Sequence, residues 1–285
     1  MSLAIEVVKP GALTTVQDLG RPGFAHLGIP RSGAADRSSL KLANRLVGNA
    51  EGAAALECTL IGPSLRFSDE ALIAITGAEV SARLDGDEVA LNSAVGVAAG
   101  ALLELATTRA GLRSYIAVRG GIEAEPMMGS KSSDLLSGLG PPPLKTGQSI
   151  TAGEPAGEVP AIGAAPIAPP SEEPVLHLVA GPRADWFAAN ALELLAAASW
   201  EVSSDSNRSG VRLIGPELPR VRDHQLLSEG MAHGAVQVPA SGQPIILLAD
   251  HPTTGGYPVV AVVASADLDA AGQLRPGQSL RFAIS

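Results

Sequence analysis

The sequence predicts a mainly β protein made of two related domains, each with one principal α-helix. Short apolar runs of about five to eight residues, separated by turn residues, recur along the chain, as they do in barrels and sandwiches. Two segments return in the same order: LIGPSL at 60–65 as LIGPEL at 213–218, and LKTGQSI at 144–150 as LRPGQSL at 274–280. A helical pattern precedes each LIGP segment. These three ordered correspondences favour a duplicated layout.

The individual elements follow from the same patterns. The helical patterns are DRSSLKLANRLVG from Asp36 and DWFAANALELLAAA from Asp185, with apolar residues at three- and four-residue spacing in the first. The main predicted strands are ALIAITG, GVAAGALLELA, LRSYIAVRG, PIILLAD and YPVVAVVAS. The Pro-, Ala- and Gly-rich segment 152–174 has the composition of a linker. We therefore expect domains at 1–151 and 175–285, joined by this linker.

Composition narrows the class of function. The net charge is −9, and only four of the 20 basic residues are lysines, which argues against nucleic acid or an anionic membrane as a partner. The single cysteine, Cys58, excludes an internal disulfide and is typical of a reducing compartment. The N-terminal residues lack the features of a signal peptide, and no apolar run is long enough to span a bilayer. We expect a soluble cytoplasmic protein.

The segment Val16–Arg37 is the most informative part of the chain. Its glycines and prolines restrict the backbone to particular turns, and polar side chains between such turns are usually held in position for a purpose. Asp36 either caps the following helix or takes part in chemistry, and Arg21 either binds a substrate carboxylate or holds Asp18. We predict catalytic roles for Asp36 and His26. The substrate-binding candidates in this segment are Gln17, Asp18, Arg21 and Ser32.

A second dense region spans 226–266 and centres on ADHPTTGGYP. Its Thr-Thr-Gly-Gly turn could aim backbone N–H groups at an anion, although an ordinary hairpin turn would use the same residues. We predict that Asp250 is catalytic, and that this region and the preceding SNRSG turn supply further substrate-binding residues. These candidates are Arg208, Glu229, Gln237, His251, Thr253, Thr254 and Tyr257. We expect the two dense regions to contribute to one functional surface.

Several motifs with known chemistry do not occur in the sequence. There is no GxxxxGK[ST] phosphate loop, no GxSxG nucleophile elbow, no HExxH and no CxxC pair. With one cysteine and five scattered histidines, no metal site is predicted. Any ATP-driven chemistry would therefore use a nucleotide site on another subunit, and this chain is expected to bind no cofactor.

The dense regions together resemble the biotin-dependent carboxyltransferase family that includes the C subunit of 5-oxoprolinase and KipA, long labelled allophanate hydrolase subunit 2. The matching blocks are TVQDLGRPGFAHLGIPRSGAADR, YIAVRGGI with GSKSSDL, SNRSGVRLIGP, and LLSEGMAHGAVQVPASGQPIILLADHPTTGGYP. They follow one another over almost the whole chain. The resemblance implies two cyclophilin-like β-barrel domains, in agreement with the duplicated layout.

The resemblance implies three functions. The favoured one is a subunit of an ATP-dependent 5-oxoprolinase, which opens 5-oxo-L-proline to L-glutamate with partner subunits A and B, so that this chain alone is inactive. The direct partner would be the KipI-like B subunit. The first alternative is a carboxyltransferase that moves a carboxyl group from carboxybiotin to urea or a similar amide. The second is a non-enzymatic, KipA-like antagonist of a histidine-kinase inhibitor.

Overall fold

The structure is a computed structural model that describes residues 3–161, 163–222 and 224–285. It is mainly β, as the sequence predicts. The chain divides into two compact units. The N-terminal unit runs to Arg21 and from Ser32 to Pro170, and the C-terminal unit contains Pro22–Arg31 and Ser171–Ser285. The two units are described separately below.

The N-terminal unit is one antiparallel sheet with a single α-helix in its described part. The helix α1 is Arg37–Leu46. The strands are β1 Leu3–Lys9, β2 Leu13–Gln17, β3 Ala55–Thr59, β4 Ser64–Phe67, β5 Ala71–Leu84, β6 Asp87–Glu88, β7 Ala94–Val97, β8 Leu102–Val118 and β9 Ser149–Ala152. They follow the order β2-β3-β8-β4-β1-β9, and the long strand β5 pairs with β6, β7 and β8. The sheet is curled around its own apolar core.

Parts of β5 and β8 are buried on both faces of this sheet, where alternate residues of a strand point to opposite faces. On one face, Ile73, Ile75 and Ile116 belong to the main core. On the other face, α1 packs against small residues, among them Ala74 and Ala117. The short alanine side chains let the helix lie close to the sheet. The alanine-rich composition therefore has a direct structural use in this unit.

The C-terminal unit is a closed barrel. Its strands are β10 Val175–Ala180, β11 Ser199–Val202, β12 Gly210–Ile214, β13 Glu229–Gly230, β14 Ala235–Gln237, β15 Ile245–Leu247, β16 Thr254–Gly255, β17 Val259–Val263 and β18 Ser279–Ile284. The helices are α2 Ala191–Ala197 and α3 Leu268–Ala271. The barrel order is β10-β17-β14-β15-β12-β11-β18, and a parallel pairing of β10 with β18 closes it. The pair β13–β16 forms a separate small sheet.

Two details differ from the sequence-based expectation. The second helix begins at Ala191, not at Asp185, and Ala184–Trp186 forms a 3-10 turn. The reason is that Phe187 is extended, forms a β-bridge with Arg220 and packs in the barrel core, which interrupts the helix. In the N-terminal unit, one strand, β8, spans the end of one predicted strand and most of the next.

The repeated Gly-Gln-Ser segments form the same turn in both units. Gln148 Oε1 accepts a hydrogen bond from Lys145 N at 3.1 Å, and Gln278 Oε1 accepts one from Arg275 N at 2.9 Å. In each case the glutamine backbone N–H also bonds back to the carbonyl of that same basic residue. A strand follows immediately, β9 in one unit and β18 in the other. The repeated Gly-Gln-Ser sequence therefore corresponds to the same turn in both units.

The division of the chain at Pro170 and Ser171 falls within the predicted linker, 152–174. The segment Pro22–Arg31, however, groups with the C-terminal unit, although the sequence-based boundary assigned it to the first domain. It is held together by its own short-range bonds, such as Leu27 N to Phe24 O at 2.9 Å.

Among the helices in the described ranges, none is long and apolar enough to cross a membrane.

Candidate functional site

Asp18 organises the first candidate site, which lies in the N-terminal unit. Its Oδ1 accepts hydrogen bonds from Gly20 N and Ser130 Oγ, both at 2.7 Å, and from Ser132 Oγ at 2.5 Å. Its Oδ2 accepts one from Lys131 N at 2.7 Å. The carboxylate thus joins the loop after β2 to the Ser-Lys-Ser-Ser-Asp segment. We call Gln17, Asp18, Arg21, Ser32 and Ser130–Ser133 the N-terminal loop cluster.

Three further candidates converge on the backbone of Ser132 and Ser133. Gln17 Nε2 donates to Ser133 O at 2.9 Å, and Ser32 Oγ donates to the same oxygen at 3.1 Å. Arg21 Nη2 donates to Ser132 O, and Arg21 Nε reaches Met127 O at 3.4 Å. All of these side chains are buried. Arg21 therefore contacts backbone carbonyls, and no ion pair between Arg21 and Asp18 is found among the described residues.

Close backbone approach fixes the shape of this cluster. A Cβ on Gly140 would lie 2.1 Å from Ser132 O, and a Cβ on Gly33 would lie 2.7 Å from Gly20 N. Both glycines have positive φ, +82° and +93°, which other residues adopt with strain. The glycines that mark this segment in the sequence are therefore needed for packing as well as for turning.

Asp36 is the N-cap of α1. Its Oδ1 accepts from Ser39 N at 2.9 Å, and its Oδ2 accepts from Ser39 Oγ at 2.6 Å. The Asp36 backbone N–H donates to Tyr115 Oη at 2.8 Å, and this hydroxyl donates to Glu57 Oε2 at 2.8 Å. Burial, followed by the nearby Glu57 charge, raises the pKa of Tyr115 well above its usual value, so the hydroxyl stays protonated. The structure shows Asp36 in the capping role. A catalytic role for Asp36 stays a prediction.

His26 lies in the segment Pro22–Arg31, in a 3-10 turn at Ala25–Leu27. The side chain is exposed, and Nδ1 is 3.1 Å from Gly23 O. Because a carbonyl oxygen only accepts, Nδ1 is the donor in this contact. A catalytic role for His26 stays a prediction.

Asp250 forms a buried ion pair with Arg208 in the C-terminal unit. Arg208 Nε donates to Asp250 Oδ2 at 2.8 Å, and Arg208 Nη2 donates to Asp250 Oδ1 at 3.0 Å. The Asp250 backbone N–H also bonds to Arg208 O at 3.0 Å. Side-chain exposure is 2% for Arg208 and 0% for Asp250. This bidentate pair joins the SNRSG turn to the Asp250–Tyr257 loop and engages both carboxylate oxygens.

His251 is the residue of this loop best suited to accept a proton. Its Nδ1 lies 2.8 Å from Pro252 O and therefore carries a hydrogen, so Nε2 presents a lone pair. Burial lowers the pKa of His251 below its usual value, only partly offset by the Pro252 and Asp250 contacts, and keeps the ring neutral at pH 7. The ring is stacked on His233, with centroids 6.3 Å apart. A neutral imidazole with a defined tautomer is a suitable general base.

The remaining candidates of the C-terminal unit are arranged around the β13–β16 pair. Glu229 lies opposite Gly255 in this pair and forms an ion pair with Arg183. The hydrogen bond from Arg183 lowers the pKa of the Glu229 carboxyl. Gln237 Nε2 lies 3.2 Å from Tyr257 O. Thr254 belongs to β16, and Thr253 O accepts from Met231 N, so the Thr-Thr-Gly-Gly segment is partly strand and not only a turn.

Sequence reasoning missed several residues that complete these arrangements. Ser130, Ser132 and Ser133 entered it only as part of a family block, although three serines among the four residues after Gly129 are a visible polar cluster. Glu57 and Tyr115 lie in apolar strands, and nothing in the sequence around them indicated a functional role. Within the described ranges, no group of three or more His, Cys, Asp or Glu side chains could hold a metal ion.

This fold and these loops define a carboxyltransferase-type domain. Residues 27–284 match the family model described as "Carboxyltransferase domain, subdomain A and B", and the chain belongs to that family. It is 39% identical to the 5-oxoprolinase C subunit of Escherichia coli over 282 residues, which cover 98% of this chain and 90% of that protein. It is 35% identical to the urea amidolyase of Lachancea kluyveri over 98% of this chain but only 17% of the relative.

Two solved structures are also similar to this chain over almost its whole length. TTHA0988 superposes with a TM-score of 0.90 at 38% identity, over 98% of this chain. The K. lactis urea amidolyase superposes with a TM-score of 0.91 at 34% identity, again over 98% of this chain. The chain spans about half of the first structure, 55%, and 18% of the second. It is thus similar both to a separate subunit and to one part of much longer enzymes.

Proposed function

We propose that this chain is the C subunit of an ATP-dependent 5-oxoprolinase, which opens 5-oxo-L-proline to L-glutamate together with subunits A and B. The observation that carries the proposal is the 39% identity across 90% of the E. coli C subunit. The direct partner is the KipI-like B subunit. The chain alone is inactive, since its sequence contains no nucleotide-binding motif and ATP is used through another subunit.

The two sites suit the chemistry of a cyclic amide in different ways. Activation of an amide needs donors at the carbonyl oxygen and a nearby acid or base. The N-terminal loop cluster supplies buried hydrogen-bonding groups, and His251 in the C-terminal unit supplies a neutral imidazole. Asp36, Asp250 and His26 remain catalytic candidates to be tested by substitution.

A second candidate function is the transfer of a carboxyl group from carboxybiotin to urea or a similar amide. It is supported by the family description and by the similarity to urea amidolyases. Urea, like 5-oxoproline, presents N–H next to C=O, so the same buried donors and acceptors of the N-terminal loop cluster suit either compound. Biotin would be carried outside this sequence, in which no Met-Lys-Met segment occurs.

Reconstitution with the cognate partners tests the proposal. The chain is assayed alone and with subunits A and B for ATP-dependent formation of glutamate from 5-oxo-L-proline, and a mixture of A and B without the chain is the control. We expect turnover only in the complete mixture, and co-elution of the chain with the B subunit in size-exclusion chromatography. Failure of the complete mixture, combined with biotin-dependent carboxylation of urea, would establish the alternative.

A further inference from the structure

A row of three polar side chains crosses the sheet of the N-terminal unit beneath the start of α1. Glu57 on β3 lies directly opposite Tyr115 on β8, and Tyr115 lies directly opposite Thr76 on β5. Directly opposite residues of neighbouring strands point to the same face of a sheet, which here is the face that α1 covers. None of the three is more than 1% exposed. We call Glu57, Tyr115 and Thr76 the polar row.

Two members of the polar row hold the end of the Val16–Arg37 segment. Glu57 Oε2 accepts a hydrogen bond from the backbone N–H of Ala35 at 2.9 Å. Tyr115 Oη accepts one from the backbone N–H of Asp36 at 2.8 Å and itself donates to Glu57 Oε2 at 2.8 Å. Two successive backbone N–H groups of the loop are therefore bound to one buried network.

The third member of the row binds the helix. Thr76 Oγ1 donates to Ser39 O, in the first turn of α1, at 2.7 Å. The bonds of Glu57 and Tyr115 are made before the helix begins, and the bond of Thr76 is made after it has begun. Thr76 is thus a matched comparison for Tyr115, since it is equally buried and lies in the same row.

The residues that Glu57 and Tyr115 hold connect two groups of site candidates. Ala34 N donates to Asp18 O at 2.9 Å, so the chain is bound to the N-terminal loop cluster one residue before it reaches Glu57. Asp36, the N-cap of α1, follows directly. A shift of this short stretch of backbone would move Asp36 relative to Asp18.

Stability alone does not account for a charged group in this position. Glu57 forms an ion pair with Arg113, from Nε to Oε1 at 3.6 Å, and both side chains are buried. Burying two charges costs free energy, and apolar side chains in place of such a pair are often neutral or stabilising. Elsewhere on this face α1 packs against alanines such as Ala74 and Ala117. Apolar side chains, however, cannot accept hydrogen bonds from the loop backbone.

We infer that Glu57 and Tyr115 are positioning residues of the functional site, which act by holding the backbone N–H groups of Ala35 and Asp36. In this role they touch no reacting group. Burial, followed by the Glu57 charge, raises the pKa of Tyr115 well above its usual value, so the hydroxyl keeps its proton and both of its bonds at neutral pH. The inference rests on the proposed function for the reaction that the site carries out.

Hydrogen exchange of backbone amides in the full-length chain, followed by NMR, tests the positioning directly. Tyr115→Phe removes only Oη, so the buried Asp36 N–H loses its acceptor. We expect its exchange to become about five- to hundred-fold faster relative to the last turn of α1. Thr76→Val, the control, should leave exchange at Asp36 unchanged. No acceleration in Tyr115→Phe, or the same acceleration in Thr76→Val, would overturn the inference.

Conservative replacement of Glu57 gives a second, independent test. Glu57→Gln keeps an acceptor oxygen for the Ala35 N–H, whereas Glu57→Leu removes it. We expect exchange at Ala35 to be about fivefold or more faster in the leucine variant than in the glutamine variant. Equal exchange in the two variants would contradict a role of Glu57 in holding the loop.

Turnover of the complete complex shows whether the held loop matters for the reaction. Rates are measured at a temperature at which circular dichroism shows each variant to be folded, so that unfolding does not lower them. We expect kcat to fall about ten- to hundred-fold in Tyr115→Phe, with KM little changed, and to stay near the wild-type value in Thr76→Val. The pH profile of Tyr115→Phe should keep the wild-type shape. Loss of one limb would mean that Tyr115 transfers a proton itself, against a positioning role.

These measurements keep the inference distinct from the proposed function. If the wild-type complex forms no glutamate, the proposed function is wrong, and the exchange rates at Ala35 and Asp36 decide by themselves whether the loop is held. If the wild-type complex forms glutamate and Tyr115→Phe turns over as fast as Thr76→Val, the positioning role is wrong and the function stands.

Discussion

Replacing Asp250 should destabilise the C-terminal unit strongly, whatever its part in chemistry. The carboxylate is fully buried and makes two charge-assisted hydrogen bonds with Arg208, at 2.8 and 3.0 Å. Removing one member of a buried ion pair takes away the charge that compensates the other and costs about 3–5 kcal/mol. The whole free energy of unfolding of a domain is about 5–15 kcal/mol. Asp250→Asn should therefore lose a large part of it.

A double-mutant cycle measures this effect. The variants are Asp250→Asn, Arg208→Met and the two together, because replacing both members of a buried pair is often close to neutral. Urea unfolding is followed by tryptophan fluorescence, and both tryptophans of the chain, Trp186 and Trp200, lie in the barrel core, so the signal reports on the C-terminal unit. We expect each single variant to unfold at clearly lower urea and the double variant to regain part of the loss.

The same variants show whether Asp250 also acts in catalysis. If Asp250→Asn keeps the wild-type urea midpoint, the ion pair contributes little and the structural reasoning is refuted. If the double variant regains stability but the assembled complex stays about a hundred- to ten-thousand-fold slower, Asp250 acts as an acid or base. If stability and rate return together, Asp250 holds the loop in place.

Three other outcomes are expected. Asp36→Ala should cost only about 1 kcal/mol of stability as a lost N-cap, and a much larger loss of turnover, measured beside Ser39→Ala as control, would establish a catalytic role. Burial lowers the pKa of His251, so the unfolded chain takes up a proton near pH 6.5, before the folded chain does. The wild-type urea midpoint should therefore fall as the pH is lowered from 7 to 5.5. The fall should be smaller in His251→Gln. An equal fall in both proteins would contradict this. Burial raises the pKa of Cys58 to about 12, so a thiol reagent such as DTNB should react only after denaturation, and rapid native reaction would disprove the burial.

The parts of the fold that depend on local sequence were predictable. The turns at Gln148 and Gln278 could be matched from the sequence because each is closed by hydrogen bonds within four residues. The family resemblance implied a barrel, but the strand pairing that closes it could not be predicted, since it joins β10 and β18, about 100 residues apart. The late start of α2 likewise follows from the packing of Phe187 in the barrel core, which a helical periodicity does not report.

The candidate site was predictable in its loops but not in its pairings. Glycines and prolines mark Val16–Arg37 and Asp250–Tyr257 in the sequence because the backbone needs them locally. The partners of these loops are distant: Ser130 contacts Asp18 across 112 residues, and Arg208 contacts Asp250 across 42. No periodicity relates such positions. A common surface of the two loops stays a prediction, for which the rates of the Asp36 and Asp250 variants are the test.

The hydrogen bonds of the candidate residues affect how substitutions at these residues are interpreted. Sequence reasoning favoured the carboxylates, yet the oxygens of Asp18, Asp36 and Asp250 all accept bonds from the fold itself. His251 differs from these carboxylates, because its Nδ1 faces Pro252 O and its Nε2 presents a lone pair. Each of these carboxylates keeps a further lone pair, but replacing it also removes bonds that hold a loop or a helix end in place. Stability and rate must therefore be measured on the same aspartate variants, whereas His251→Gln tests the imidazole with the loss of only one hydrogen bond, from Nδ1 to Pro252 O.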